Sequence, residues 1–593
     1  MSKGGSRKWT IGGTEKLPVL AAAAAFSSVV VLSGGFYEYA AMTSGLIAVI
    51  AAFLFLRSRE RCLCATHYDS AGSGGGKTGV IRRLNVKLLI PVLFLLYTWM
   101  VTVWSVDAPM NLVGSMRLAP CLVWLYLCFL LTDREKAEIL SFVPFLGTAV
   151  TLTAGLSFFF EPAKALFWRA DRLGGTFQYA NTCALFLLLG LVILYRDWEK
   201  GGKGAANRRR SAVLFRFVFP AGVLLAGLLM TGSRSMLLLF LLWIPVTGFR
   251  RGKREGMLAV AAVMGAFLLI LLFVGLGGST QNIGRITTFF TADSTILGRL
   301  LYWKDAVRLL VRRPFGLGAS GYYYLQPVFQ HGVYTTRYVH NDYLQTALDY
   351  GIVPALALAG YLICQILRGR QSALQKELLV LMLVSAFADF HFQYLSLLFL
   401  LILCLDPGSG DQDRARLKRA TKSQLWEIRI ELAGAFLVFG CLLIPFTALR
   451  LHDCERCLYW LPHETQAELE LLNTAETQER AQVLAEALLS HNVYIGAAYK
   501  NLGYVAFLKG DGRTAMEEMD RMIAIRRYDV REYRAYDEML LQIADQAVLS
   551  GDQDLQREAL ERRESLRTQL AQLEETTDPL AFRLRDVPVF TWE

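Results

Sequence analysis

The stretch Met257–Leu276 reads MLAVAAVMGAFLLILLFVGL, 20 residues without one charged side chain. As a helix it would be about 30 Å long, the thickness of the hydrocarbon core of a bilayer. A helix is the form such a run takes in lipid, because it satisfies its own backbone N–H and C=O groups where water is absent. Leu17–Leu32 and Ile430–Leu449 are runs of the same kind, and 54% of the 593 residues are hydrophobic. The expected fold is all-α: a polytopic membrane helical bundle followed by a soluble helical-repeat region.

Working outward from that stretch, apolar runs predict about 12–13 spans, near 17–34, 38–56, 88–104, 115–131, 139–160, 182–195, 213–230, 235–247, 257–276, 346–367, 378–390, 393–405 and 430–449. The pair at 378–405 reads as a bent hairpin. Five basic clusters follow alternate spans: Arg57–Lys87, Lys200–Arg210, Arg250–Arg254, Arg368–Lys376 and Arg414–Lys422. Basic loops stay on the cytoplasmic side. The expected topology is therefore a multi-pass cell-membrane protein with a cytoplasmic N-terminus and an extracytoplasmic C-terminal domain. The first run follows Lys3, Arg7, Lys8 and Lys16 as a signal peptide would, but reads as a retained span. Residues 1–450 are expected to form the membrane domain and 451–593 the C-terminal one.

The net charge of +11 conceals a division. From Arg450 onward there are 17 basic and 27 acidic side chains, a balance of −10, which leaves +21 on the membrane part. That distribution belongs to topology control and excludes nucleic acid as a partner. The segment Ala71–Thr78, AGSGGGKT, imitates a phosphate-binding loop. It lacks the preceding strand that would aim its amides, and reads as a Gly-Ser linker. Most of the ten cysteines lie in apolar runs as small hydrophobes. Cys454 and Cys457, beside His452, are the exception: they lack a fourth ligand for structural zinc and leave either a local disulfide or free thiols.

Chemistry concentrates in the segments assigned to the outside. The loop 277–345 is far longer than ordinary interhelical connections. It holds Gly298-Arg-Leu-Leu-Tyr-Trp303, Arg313-Pro-Phe-Gly-Leu-Gly318 and Val339-His-Asn-Asp-Tyr-Leu-Gln345. A helix beginning near Arg299 should turn Leu300, Trp303, Ala306 and Val307 inward and end at Pro314. Arg234, in Thr231-Gly-Ser-Arg-Ser235, sits between two apolar runs, where a cation either meets an anionic partner or snorkels to the interface. His340 stands at a membrane mouth beside Asn341 and Asp342, which marks it as a catalytic candidate. In Arg172–Asn181, RLGGTFQYAN, Gln178 and Asn181 offer substrate contacts or a helix cap.

These residues resemble the O-antigen ligase family, which includes polymerases of lipid-linked repeat units and some protein O-oligosaccharyltransferases. The resemblance rests on Ser233-Arg234, on Gly298-Arg299 followed by Trp303, on Pro314-x-Gly316-x-Gly318, and on His340-Asn-x-Tyr-Leu before Tyr350-Gly-Ile352. It covers roughly residues 170–400. It implies metal-independent transfer of a glycan from a polyprenyl-diphosphate-linked donor to a hydroxyl acceptor on a glycan, lipid or protein. No cofactor or metal is implied. Arg234 and Arg299 would bind the donor diphosphate and His340 would act as the catalytic base. Arg172, Arg285, Arg337 and Asp342, with Gln178, Asn181 and Asn341, are secondary candidates. A transporter or flippase, or an envelope scaffold, is the alternative of another class. Transporters carry internal repeats with broken helices at mid-membrane, and none is visible here. Residues 499–527 carry tetratricopeptide offsets (Tyr499, Leu502, Gly503, Ala515 and Met519), a pattern suited to docking an envelope protein partner.

Overall fold

The computed structural model describes residues 17–66, 86–202, 213–275, 294–406 and 422–592. Arg285, the Ala71–Thr78 segment, and the Arg82–Arg83, Arg208–Arg210 and Arg414–Arg419 stretches of the basic loops lie outside the described residues. The rest is helical, apart from a two-residue hairpin in which Trp168–Arg169 pairs antiparallel with Arg172–Leu173.

Five segments are long and apolar enough to cross a bilayer: Glu38–Ser58, Ala108–Leu130, Asp133–Phe159, Ala180–Lys200 and Leu425–Arg450. Five shorter apolar helices accompany them: Leu17–Val31, Leu89–Val103, Leu214–Met230, Ile352–Arg368 and Leu395–Cys404. The expected 12–13 spans thus reduce, among the described residues, to five of full length. Breaks explain part of the shortening. The bent hairpin at 378–405 appears as Ala373–Ala386 and Leu395–Cys404, separated by a short 3-10 turn at His391–Gln393.

The chain divides by packing into two units, each built from discontinuous segments. The first comprises Met1–Leu95, Arg117–Thr291 and Leu358–Leu443. At its centre Trp124 stacks on Phe399 with ring centroids 4.7 Å apart, and its indole N–H donates to the Phe399 carbonyl at 2.8 Å. Buried Glu377 accepts from Trp243 Nε1 at 2.8 Å and pairs with Arg196 and Arg250, so its charge is compensated.

The second unit comprises Leu96–Met116, Ala292–Ala357 and Ile444–Glu593. Its C-terminal part is a series of helices: Gln478–His491, Gly496–Leu508, Gly512–Ile525, Val530–Ser550 and Gln553–Thr576. Gly503 and Met519, on the second and third of these, approach closely. A Cβ on Gly503 would stand 2.9 Å from Met519 Cγ, so a larger residue would force the methionine side chain to shift, and Ala515 is fully buried. Tyr536, also buried, closes this core by donating to Asp520 Oδ1 at 2.7 Å.

Candidate active site

The described part of the long loop, from residue 294 on, holds three helices, Ser294–Arg312, Gly321–Phe329 and Asp342–Tyr350. The first ends before Pro314, as expected, but its apolar stripe is displaced by about one residue. Leu301, Ala306 and Leu309 are buried, whereas Leu300 and Val307 are exposed. The reason is Asp305, which must face inward. Its carboxylate accepts from the His331 N–H at 2.9 Å and the Tyr334 hydroxyl at 2.8 Å, and lies 2.7 Å from His331 Nδ1.

Glycines join the two ends of the loop. Gly316 and Gly318 have φ of +94° and +81°, and Gly351 has +95°, values that side chains rarely tolerate. The Leu317 and Gly318 N–H groups donate to the carbonyls of Leu348 and Asp349 at 2.7 and 2.9 Å, and Ile352 N–H donates to Pro314 at 3.0 Å. The Pro-x-Gly-x-Gly and Tyr-Gly-Ile motifs therefore form one backbone junction. The chain at 105–111 clamps it from a third side. Val106 N–H donates to Leu317 O at 2.8 Å, and Ala319 N–H to Asn111 Oδ1 at 2.8 Å.

His340 is presented from this frame. Both backbone groups of the preceding residue are held: Trp303 Nε1 donates to the Val339 carbonyl at 2.8 Å, and the Val339 N–H donates to Gln345 Oε1 at 3.0 Å. Asn341 then caps the Asp342–Tyr350 helix, accepting from Leu344 N–H at 3.0 Å. Between these anchors His340 adopts φ +52°, an uncommon conformation for a residue with a side chain. Such strain persists where surroundings over-determine it, often at functional sites.

Arg299 and His340 line one cavity of about 300 Å³, with Tyr302, Val333, Tyr334, Thr335, Leu584, Arg585 and Asp586. Tyr302 lies one helical turn after Arg299, with its ring centroid 6.4 Å from that of His340. Burial pushes its phenol above the ordinary value, against the pull of Arg299, so it stays a proton donor at neutral pH. A larger cleft of about 830 Å³ shares Val333, Tyr334, Thr335 and Asp586 with this cavity and is lined further by Tyr323, Tyr494 and Tyr528.

Arg234 belongs to the other packing unit and opens the Arg234–Arg251 helix. There its guanidinium adds to the positive end of the helix dipole, a field that favours a phosphate. Arg172 steadies the turn before it, donating to Thr231 O at 2.8 Å and to Asn181 Oδ1 at 2.9 Å. Asn181 in turn donates to Asp389, which also accepts from Tyr179. Gln178, at φ +57°, accepts from Tyr37 at 3.2 Å. Of the other candidates, Arg337 lies over the Tyr338 ring at 5.7 Å, and Asp342 is buried in the first turn of its helix.

Sequence reasoning missed Tyr302, Asp305, Tyr334, Arg585, Asp586 and Asp389. Only Asp389 had a local signal, as an acid between two apolar runs. Cys454 and Cys457, for which a disulfide or free thiols stood open, are free thiols here, buried one turn apart on the Cys454–Trp460 helix.

Residues 219–359 match the family described as O-antigen ligase, a stretch that includes Arg234, Arg299 and His340. No curated protein and no solved structure matches the chain.

Proposed function

Taking the O-antigen ligase domain at residues 219–359 as the premise, we propose that the protein is an integral-membrane glycosyltransferase. It moves a glycan from a polyprenyl diphosphate to a hydroxyl acceptor on the outer face of the membrane. The observation that carries this reading is the cavity where Arg299 and His340 converge.

In the reaction, the acceptor oxygen forms a bond to the anomeric carbon as the bond from that carbon to the diphosphate breaks. The leaving group gains negative charge. Arginine suits it, since the planar guanidinium matches phosphate oxygens in pairs. Arg299 takes that role, with Arg234 as a second donor-binding residue. Arg585 adds a further cation to the cavity wall. Neutral imidazole has the basicity to accept the acceptor proton near neutral pH, which assigns the base to His340. Tyr302 can donate to a glycan or phosphate oxygen. No divalent ion is required by this scheme. The neighbouring tyrosine-lined cleft is the approach for the acceptor, and the tetratricopeptide-like helices that form part of it position that partner. Supporting this over a detached scaffold is the contribution of Leu584, Arg585 and Asp586 to the cavity itself. The basic loops support a cytoplasmic N-terminus and an outer C-terminal domain.

The test uses purified protein, a polyprenyl-diphosphate glycan and its acceptor. His340→Ala should keep donor affinity and lose turnover by about 10²–10⁴-fold, the usual cost of a general base. Arg299→Lys, which loses the planar fork, should weaken both. Full turnover in His340→Ala, or a requirement for added magnesium or manganese, contradicts the mechanism. A wild-type protein that binds no lipid diphosphate points instead to a transporter or scaffold, as would unchanged surface glycans in a deletion strain.

A further inference from the structure

Away from the cavity lining, the second unit gathers a different set of side chains. Glu468 is almost fully buried, its side chain 5% exposed, in the Thr465–Asn473 helix. One of its oxygens lies 3.2 Å from His463 Nδ1, and the other 2.8 Å from His491 Nε2. The two imidazole centroids are 5.9 Å apart at 59°, and one donor atom from each of the three residues lies within 4.8 Å of the others. Two donors on a tetrahedral zinc, with bonds of about 2.0–2.2 Å, stand roughly 3.4 Å apart. The two Glu468 contacts are of that size or slightly tighter, and all three donor atoms lie within 4.8 Å of one another, so side-chain rotations would admit an ion.

Charge argues in the same direction. Among the described residues, Glu468 meets imidazoles and no lysine or arginine. Buried Asp107 accepts from the neutral donors Thr465 Oγ1, Asn492 Nδ2 and Met110 N–H. Glu468 and Asp107 are thus buried with no lysine or arginine bonded to either among the described residues. Buried charges of this kind are ordinarily paired or bound to metal.

We propose that His463, Glu468 and His491 bind one divalent cation of zinc type, with water in the fourth position. Two imidazoles and one carboxylate are a donor set that zinc accepts, and three protein ligands leave one place open. With one position open, the site is not a closed four-ligand structural zinc; it lies apart from the cavity of Arg299 and His340, and its three ligands tie two helices together. His463 precedes the Thr465–Asn473 helix, and His491 closes the Gln478–His491 helix. Their neighbours Thr465 and Asn492 both donate to Asp107. From there the 105–111 segment reaches the glycine junction through Val106 and Asn111. Fixing this site therefore fixes the segment that clamps the loop bearing His340. Nothing in this inference depends on the transferase reading.

The experiment uses the full chain in detergent, stripped with chelator and titrated with zinc. Calorimetry and elemental analysis should find one tightly bound zinc per chain, and zinc should raise the unfolding temperature. His463 is the most exposed ligand, so His463→Ala removes a donor with little effect on folding. It should weaken zinc binding by more than the 10- to 100-fold typical of losing an outer-shell partner. Glu468→Gln, of nearly the same shape, should do the same, and both should lose the thermal shift. Equal zinc affinity in the variants overturns the proposal. So does a wild type that takes up no stoichiometric zinc and merely loses stability as pH rises, the behaviour of a protonated His491 held by the Glu468 carboxylate. That histidine's pKa is raised: burial alone would lower it, but Glu468, Asp107 and Glu464 together outweigh burial. Its contribution would be complete below the unfolded value near 6.5 and lost as pH climbs through the raised one.

Discussion

Gly316 has room for a hydrogen and little else. A Cβ there would stand 2.6 Å from Gly351 N and 2.8 Å from Asp349 O, both backbone atoms that cannot step aside. At Gly318 it would stand 2.4 Å from Ser105 Cβ. Gly316→Ala and Gly318→Ala should each destabilise the second unit by at least about 1–3 kcal/mol, from backbone strain plus collision. Thermal unfolding should register the loss together with falling turnover. Normal stability with lost turnover would instead make these glycines substrate contacts. Their motif spacing was legible in the sequence, but their partnership was not. Nothing local says that Gly316 will lie against Gly351, or that both motifs will share a junction with Ser105 and Asn111. Asp305 shows the same limit. An acid on an amphipathic helix reads as solvent-facing until Tyr334 and His331 arrive from another segment to bond it inward.

Among helices, the short Asp342–Tyr350 element shows how a candidate substrate residue can be a cap. Asn341 accepts the Leu344 N–H, so Asn341→Ala should cost about 0.5–2 kcal/mol of local stability and release the loop that holds His340. Asn341→Asp keeps the cap and should restore both stability and most turnover. Failure of Asp to rescue turnover while restoring stability would show that the amide touches substrate. The Cys454–Trp460 helix yields a second test. Burial first, then the Glu470 carboxylate at Cys454 and Glu464 at Cys457, push both thiols up to about 12. At neutral to mildly basic pH little of either would be thiolate, the reactive form. Iodoacetamide should label them slowly in the native protein and fully in denaturant without reductant. Labelling only after reduction would restore the disulfide reading. Helices were legible where long apolar runs mark them, a local feature, but short ones such as Gly321–Phe329 in the long loop were not. The face each helix buries was less legible, as Leu300 and Leu301 show: adjacent leucines look alike until a polar neighbour decides the rotation.

For the whole molecule, the membrane character and the helical C-terminal region were legible from composition. The packing units were not, since each is assembled from three separated stretches. The cavity wall is the sharpest case. Leu584, Arg585 and Asp586 follow the last long helix, where no motif marks them, and yet they line the cavity with Arg299 and His340. Ala581, fully buried with Leu301 and Tyr334, secures that stretch, and Asp578 pairs with Lys304. Ending the chain at Thr576 should therefore leave the membrane helices inserted but reduce turnover by at least about 10²-fold, the scale of a misplaced active-site element. Retained turnover would mean that the wall is passive. A matter of timing follows from the same wall. The cavity joins Arg299 and His340 to Leu584–Asp586, far apart in the chain, and contacts of such long sequence separation form late. A nascent chain already threaded into the bilayer would carry Arg299 and His340 without a closed cavity. Under the proposed function, transfer would have to wait until residues 584–586 had been synthesised and folded back, so half-made copies would be inactive.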